Sequence, residues 1–409
     1  MSEVDNEIVS NSNFRRKFTE FILILSMFTS SYVFFRNPFE FYPHYIIYIL
    51  YLPVFFIKYK LPRNITYILL ILLLTGVINI FIGNLEWFSL IKVWGGFFLS
   101  LNFYYFVFLF FEKNVLKIFN YYIMFCVFLL IIGLLQVIFF QIGYEPGYDL
   151  RIFFGLNKWS LVPEGGILGI KYSSFLTEPA QLAIVTIPVV FISLNNLFFN
   201  ESNFIKYKLL NITLLILYIL ITSATGFIGL LICLIIIAVR NKIYNIFLGL
   251  IPSLAILLIL YNNVLDFKIR VDAGLELNKS FENDIQKDIA NTSTFTLYDN
   301  YIVTYNNFLE NPVMGTGVGS HQFAFDKFSL TNKYSNLNVF ANNSKDANSL
   351  FLRIVSETGL LGLFFLFFLL FKGIYTMNTL NKLEYIVSVS LLLIIILSLI
   401  RQGNYFLNG

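Results

Sequence analysis

The chain has 409 residues, of which 57% are hydrophobic and only 13% charged, with a formal net charge of +4. Soluble domains carry roughly 25% charged residues, so this composition leaves too little charge to clothe a water-facing surface. It excludes an ordinary soluble enzyme, and cations held in short clusters between apolar runs argue against a nucleic-acid partner.

Crossing a bilayer takes about 20 apolar residues in a helix. In chain order the candidate spans are 18–35, 45–57, 65–83, 88–111, 118–142, 179–198, 208–223, 225–239, 243–261, 350–371 and 384–400. The stretch 208–239 is too long for one crossing and is divided at Ser223-Ala224-Thr225-Gly226, where small residues permit a tight turn. The fold class expected is therefore all-α: a single polytopic membrane domain over 1–409 with about eleven transmembrane helices. Arg15-Arg16-Lys17 ahead of the first apolar run reads as the flank of a retained anchor rather than of a cleaved signal. With the N-terminus in the cytoplasm, the inside segments carry those three cations together with Lys58, Lys60, Arg63, Lys113, Lys117, Lys206, Lys208, Arg240, Lys242, Lys372 and Lys382. The short outside turns 36–44 and 84–87 contain only Arg36. That asymmetry is the one the positive-inside rule describes. Two long segments then face outward, 143–178 and 262–349, and the second is expected to hold short helices at the mouth of the bundle.

Few residues can carry chemistry. Cys126 and Cys233 lie inside separate apolar runs and read as packing residues. With only His44 and His321, a histidine-based metal cluster is nearly excluded, and no cofactor motif is present. His321 is expected to be a solvent-exposed loop residue. Glu282-Asn283-Asp284 reads as a solvated acidic face rather than a metal site. Ionisable groups at the mouth of a bundle are functional candidates because burying them is costly. Glu178, just before Pro179, is either a carboxylate at a helix N-terminus or a general base at the outer face. Arg401 is either a snorkelling residue at a helix end or a clamp for a developing anion. Arg353 and Glu357 stand at i, i+4 spacing, so Glu357 is either paired there or directed into a cavity. Asp346 is a further candidate base, and Lys92 reads as snorkelling.

Three sequence patterns follow one another in order. They are Phe175-x-x-Glu178-Pro179; Asn311-Pro312-x-x-Gly315-x-Gly317-x-Gly319 followed by Asn348-Ser349 and Glu357-x-Gly359-x-x-Gly362; and the closing Arg401-Gln402-Gly403-Asn404-Tyr405. The glycine run lacks the strand and helix of a dinucleotide fold, so a tight turn is favoured over a phosphate cradle. Together the patterns resemble the bacterial O-antigen polymerase and ligase superfamily, and the Wzy-type polysaccharide polymerases within it, and the overall plan of many spans with one large outer loop before the last helices is similar over nearly the whole chain. The resemblance implies a GT-C-like, metal-independent, inverting glycosyltransferase of the bacterial inner membrane. It would join oligosaccharide repeat units carried on undecaprenyl diphosphate at the periplasmic face, for O-antigen of lipopolysaccharide or a related polysaccharide. Its partners would be the lipid-linked donor and acceptor, with a chain-length regulator possible. Ala347 stands where ligases usually have a histidine, and the turn at 223–226 lacks the arginine often found there. Both departures favour polymerase over ligase, while a flippase for the same lipids is the non-enzymatic alternative.

Displacing a diphosphate from an anomeric carbon leaves negative charge on phosphate oxygens, which guanidinium or ammonium groups can stabilise. The site expected on these grounds has Glu178 and Arg401 as catalytic residues. Arg151, Lys171, Arg270, Asn348, Arg353 and Glu357 would bind substrate, with no metal and no cofactor.

Overall fold

The computed structural model describes residues 3–29, 31–35, 40–150, 165–202, 204–240, 292–333, 343–377 and 381–405, with isolated positions between 258 and 272. Among these residues there is no β-strand, and Phe35 and Phe41 form an isolated antiparallel bridge. Apart from two four-residue helices, Glu145–Tyr148 and Leu330–Lys333, the described α-helices are α1 (Glu3–Leu25), α2 (Pro43–Lys58), α3 (Arg63–Ile82), α4 (Trp87–Phe110), α5 (Val115–Gln141), α6 (Pro179–Phe199), α7 (Lys208–Leu220), α8 (Ala224–Arg240), α9 (Thr292–Glu310), α10 (His321–Phe328), α11 (Leu350–Met377) and α12 (Lys382–Arg401).

Local chemistry sets several boundaries. The Asn114 side chain accepts the Lys117 N–H and caps α5. At α12, Asn381 and Glu384 form a reciprocal capping box. Gly83, at φ +92°, closes α3 in the left-handed conformation that favours glycine. The expected division of 208–239 is present, with the break at Ile221–Ser223 and Thr222 at φ +54°, slightly before the predicted turn.

Among the described residues six helices, α3, α4, α5, α6, α11 and α12, are long and apolar enough to cross a membrane, and α2, α7 and α8 are shorter apolar helices. The expected first span differs: α1 begins well before residue 18, and after a short 3-10 turn, Ser26–Phe28, the helix does not continue to 35. The expected crossing at 243–261 lies outside the described residues, apart from positions 258 and 261. In the expected outer segment, α9 has 19 residues, a full helix rather than a short one.

Helix α6 is the centre of the bundle. Of its most apolar window 83% is buried, against 17% for α3 and α11, and it packs against α5, α7, α8 and α12. A helix apolar on all sides needs neighbours on all sides. Gly226 and Gly229 of α8 allow that approach: a Cβ at Gly226 would stand 3.1 Å from Ala183 Cβ, and one at Gly229 would stand 2.8 Å from Ile187 and 2.9 Å from Leu397.

A charged cluster fixes the register of the three central helices. Glu201, just beyond α6, pairs with Arg240 at the end of α8 (2.7 Å) and with Lys382 at the start of α12 (3.2 Å). The Arg240 guanidinium also lies over the rings of Phe199 and Tyr385 and donates to Asn195 Oδ1 at 2.8 Å. α6 and α12 are therefore antiparallel neighbours of nearly equal length, 21 and 20 residues, each about 30 Å long at 1.5 Å per residue. Glu178 and Arg401 sit at the end opposite the cluster.

Candidate functional site

The glycine-rich loop and the kinked helix α11 form one interlocked structure. Gly359 takes φ +58°, ψ −146°, breaking α11. The break frees backbone groups on both sides, and the loop pairs them. Thr316 and Gly317 donate to the carbonyls of Ser356 (3.3 Å) and Glu357 (2.8 Å), while Leu360 and Leu361 donate to those of Pro312 (2.8 Å) and Val313 (3.1 Å). The approach leaves no space for side chains. A Cβ at Gly315 would lie 2.4 Å from the Glu357 carbonyl carbon, and one at Gly359 would lie 2.6 Å from the Pro312 oxygen. The pattern is thus a backbone joint, in agreement with the tight-turn reading.

Glu357 is fully buried at this joint. Its carboxylate accepts from Arg353 Nε (2.9 Å), the Tyr405 hydroxyl (2.9 Å), Gly319 N–H (2.8 Å) and His321 N–H (3.4 Å). Of the two readings of Glu357, the i, i+4 pair with Arg353 is the one observed. Arg353, 6% exposed, also donates through Nη1 to the Gly403 carbonyl (2.9 Å), and its guanidinium lies 4.4 Å from the Tyr405 ring centre. Burial and the neighbouring Glu357 carboxylate hold the Tyr405 phenol well above its usual pKa, so it stays a donor.

His321 is buried rather than solvent-exposed, a correction to the expectation from sequence. It opens α10 beneath the joint, within a polar network that supplies the partners a loop residue would find in water. Asn300 Nδ2 donates to the Thr296 carbonyl, so Asn300 Oδ1 is the acceptor for His321 Nε2–H (2.8 Å). Nδ1 then accepts from the Ser356 hydroxyl (3.2 Å), and Ser356 Oγ accepts from Asn307 (3.0 Å). Burial, with the Arg353 charge in second place, depresses the His321 pKa to about 3, and the ring is neutral at physiological pH.

The remaining predicted residues fall in three places. Glu178 is half-buried at the head of α6; its carbonyl accepts the Leu182 N–H, but its side chain makes no capping hydrogen bond. The bend before it is held by Gln136 of α5, whose side chain accepts the Ser174 N–H (2.8 Å), and by Gln181, which accepts the Thr177 N–H (3.1 Å). Lys171 is buried in the same approach segment. A Cβ at Gly166 would stand 3.2 Å from both Lys171 Cγ and Thr222 Oγ1, which puts Lys171 beside the α7–α8 turn. Asn348, at φ +55°, donates its N–H to Asp346 Oδ1 (3.2 Å), and Asp346 also accepts from Asn343 (2.9 Å). Arg401, half-buried, is the last residue of α12. Arg151 and Arg270 lie outside the described residues. Among the described residues no three His, Cys, Asp or Glu side chains converge as a metal site would require.

Sequence reasoning missed Tyr405 as a partner of Glu357, and with it Ser349, whose hydroxyl donates to the Leu399 carbonyl at 2.7 Å. Both belong to patterns noted in the sequence, but nothing in their spacing, about 50 residues apart, says that the patterns touch. Asn300 and Asn307 sit in α9 seven residues apart, on one helical face, and that spacing was a usable signal.

No curated protein and no solved structure matches the chain. Residues 209–367 match the family model described as O-antigen ligase, a stretch that holds the glycine loop and the kink but neither Glu178 nor Arg401. Members of that family are membrane enzymes that transfer glycosyl groups and use lipid-linked glycans. With its several apolar helices, the match supports membership of this multi-pass membrane protein in the O-antigen polymerase and ligase superfamily.

Proposed function

We propose that the protein polymerises undecaprenyl-diphosphate-linked oligosaccharide repeat units by metal-independent, inverting glycosyl transfer at the periplasmic face of the inner membrane. The observation that carries this reading is the register of α6 and α12. The Glu201–Lys382 pair ties one end of these antiparallel helices, and the only two residues proposed to act in the chemistry, Glu178 and Arg401, close the other.

In this reaction the acceptor hydroxyl oxygen attacks the anomeric carbon of the donor as the bond from that carbon to the diphosphate oxygen breaks. Glu178 takes the hydroxyl proton, and the departing electron pair leaves on the diphosphate, where Arg401 meets it with a planar pair of donors. Lys171 and Asn348, with Arg151 and Arg270, bind the glycans and phosphates. Arg353 and Glu357 act from beneath, through the chain segment they hold. Glu357 is not the base in this reading, because its two oxygens already take four donors from the chain itself.

Purified protein in vesicles, given a lipid-linked repeat unit, is expected to produce a ladder of longer glycans on the carrier lipid. Glu178→Gln and Arg401→Ala should each slow it by about 100-fold or more, on the order of general-base and oxyanion contributions. A ladder undiminished in both variants contradicts the site. The match to the O-antigen ligase model favours a second reading, transfer of a finished glycan to a different acceptor. Glycan found on a new acceptor, with no ladder, would select it.

A further inference from the structure

Arg401 ends a helix, and the four residues described after it, 402–405, are not helical. The last carbonyls of a helix lack internal partners, and terminal turns fray. Here the backbone on both sides of Arg401 is tied to the first turns of α11. Two residues before it, the Leu399 carbonyl accepts the Ser349 hydroxyl at 2.7 Å. Two residues after it, the Gly403 carbonyl accepts Arg353 Nη1 at 2.9 Å. Four residues after it, Tyr405 donates to Glu357 at 2.9 Å and lies under the Arg353 guanidinium. Between these ties Gly403 rests against the Asp346 carbonyl oxygen, where a Cβ would come within 1.7 Å.

We propose that Arg353, Glu357, Tyr405 and Ser349 are positioning residues that bracket Arg401 and hold its guanidinium where the diphosphate departs; this rests on the reading of Arg401 given above. Arg353 and Glu357 are buried and neutralise each other, so neither charge is directed at the diphosphate. Their reach is instead spent on the segment. The same Glu357 carboxylate binds the Gly319 and His321 N–H groups, so the bracket continues into the glycine joint and α10. Prior fixation of a clamp in this way lowers the ordering cost at the transition state while leaving ground-state binding of the lipid nearly untouched.

The test uses full-length protein in vesicles with a lipid-linked repeat unit, comparing wild type, Tyr405→Phe, Ser349→Ala and Arg401→Ala. A second readout is maleimide labelling of an added Asn404→Cys, against which the native Cys126 and Cys233 are buried. Tyr405→Phe removes one hydrogen bond to a charged acceptor and keeps the ring. It is expected to lower kcat roughly tenfold with KM changed less than about twofold, and to speed labelling of the introduced thiol severalfold. Ser349→Ala should act in the same direction. An unchanged kcat in Tyr405→Phe, or a rise in KM alone, overturns the bracket while the ladder of the wild type and its loss in Arg401→Ala still stand. A wild-type rate in Arg401→Ala is a different failure: it removes the reading of Arg401 and the bracket with it.

Discussion

At the scale of single residues, Gly359 and His321 do the most for their size. Gly359 adopts a backbone conformation that L side chains rarely enter, and its missing Cβ lets the loop at Pro312 dock. Gly359→Ala adds both backbone strain and a clash with immovable backbone, so it should cost about 3 kcal/mol or more, read as a lowered Tm in detergent. His321 gives a pH signature. Its folded pKa, about 3, lies below the unfolded value near 6.5, so between these limits the unfolded chain binds one more proton. Stability from this group is therefore complete above about pH 6.5 and falls by about 1.4 kcal/mol for each pH unit below it, down to about pH 3. Wild type should lose Tm steadily from about pH 6.5 to about pH 4, and His321→Gln, less stable at neutral pH, should show a flatter profile. A profile of equal slope in both proteins would contradict the assignment of this titration to His321.

At the scale of elements, the ion cluster around Glu201 is what sets α6, α8 and α12 in register. Glu201→Ala leaves the partly buried Arg240 without its carboxylate, and it should destabilise by more than the ~1 kcal/mol of an exposed pair, whereas Lys382→Ala, removing an exposed partner, should cost less. The difference in Tm between the two variants checks this. Most of these helices were legible in the sequence, because apolar runs bounded by charge, proline or glycine leave little choice of boundary. The first apolar run misled because hydrophobicity does not distinguish a helix from the turn that follows it at Ser26–Phe28. The site was legible only in pieces. Glu357 and Arg353 declare themselves through i, i+4 spacing, but Tyr405 and Ser349 meet partners about 50 residues away, and such pairing is set by helix packing alone. His321 was misjudged because a polar loop composition says nothing about a network of asparagine, serine and histidine that can satisfy itself away from water.

At the scale of the whole molecule, two structures lie at the same end of the bundle. One is the central helix α6, with Glu178 at its head and Gln136 and Gln181 holding the bend before it. The other is the joint of α11 with the glycine loop, which takes hold of the chain on either side of Arg401. The central claim is that Glu178 and Arg401 serve a single glycosyl transfer from these two supports. A double-mutant cycle on the initial rate of ladder formation, with Glu178→Gln, Arg401→Ala and both together, tests it most directly. Groups acting in one transition state are far from additive, so the double variant should be little slower than the slower single variant. A wild-type rate in either single variant, or a double variant as slow as the product of the two single losses, would contradict it.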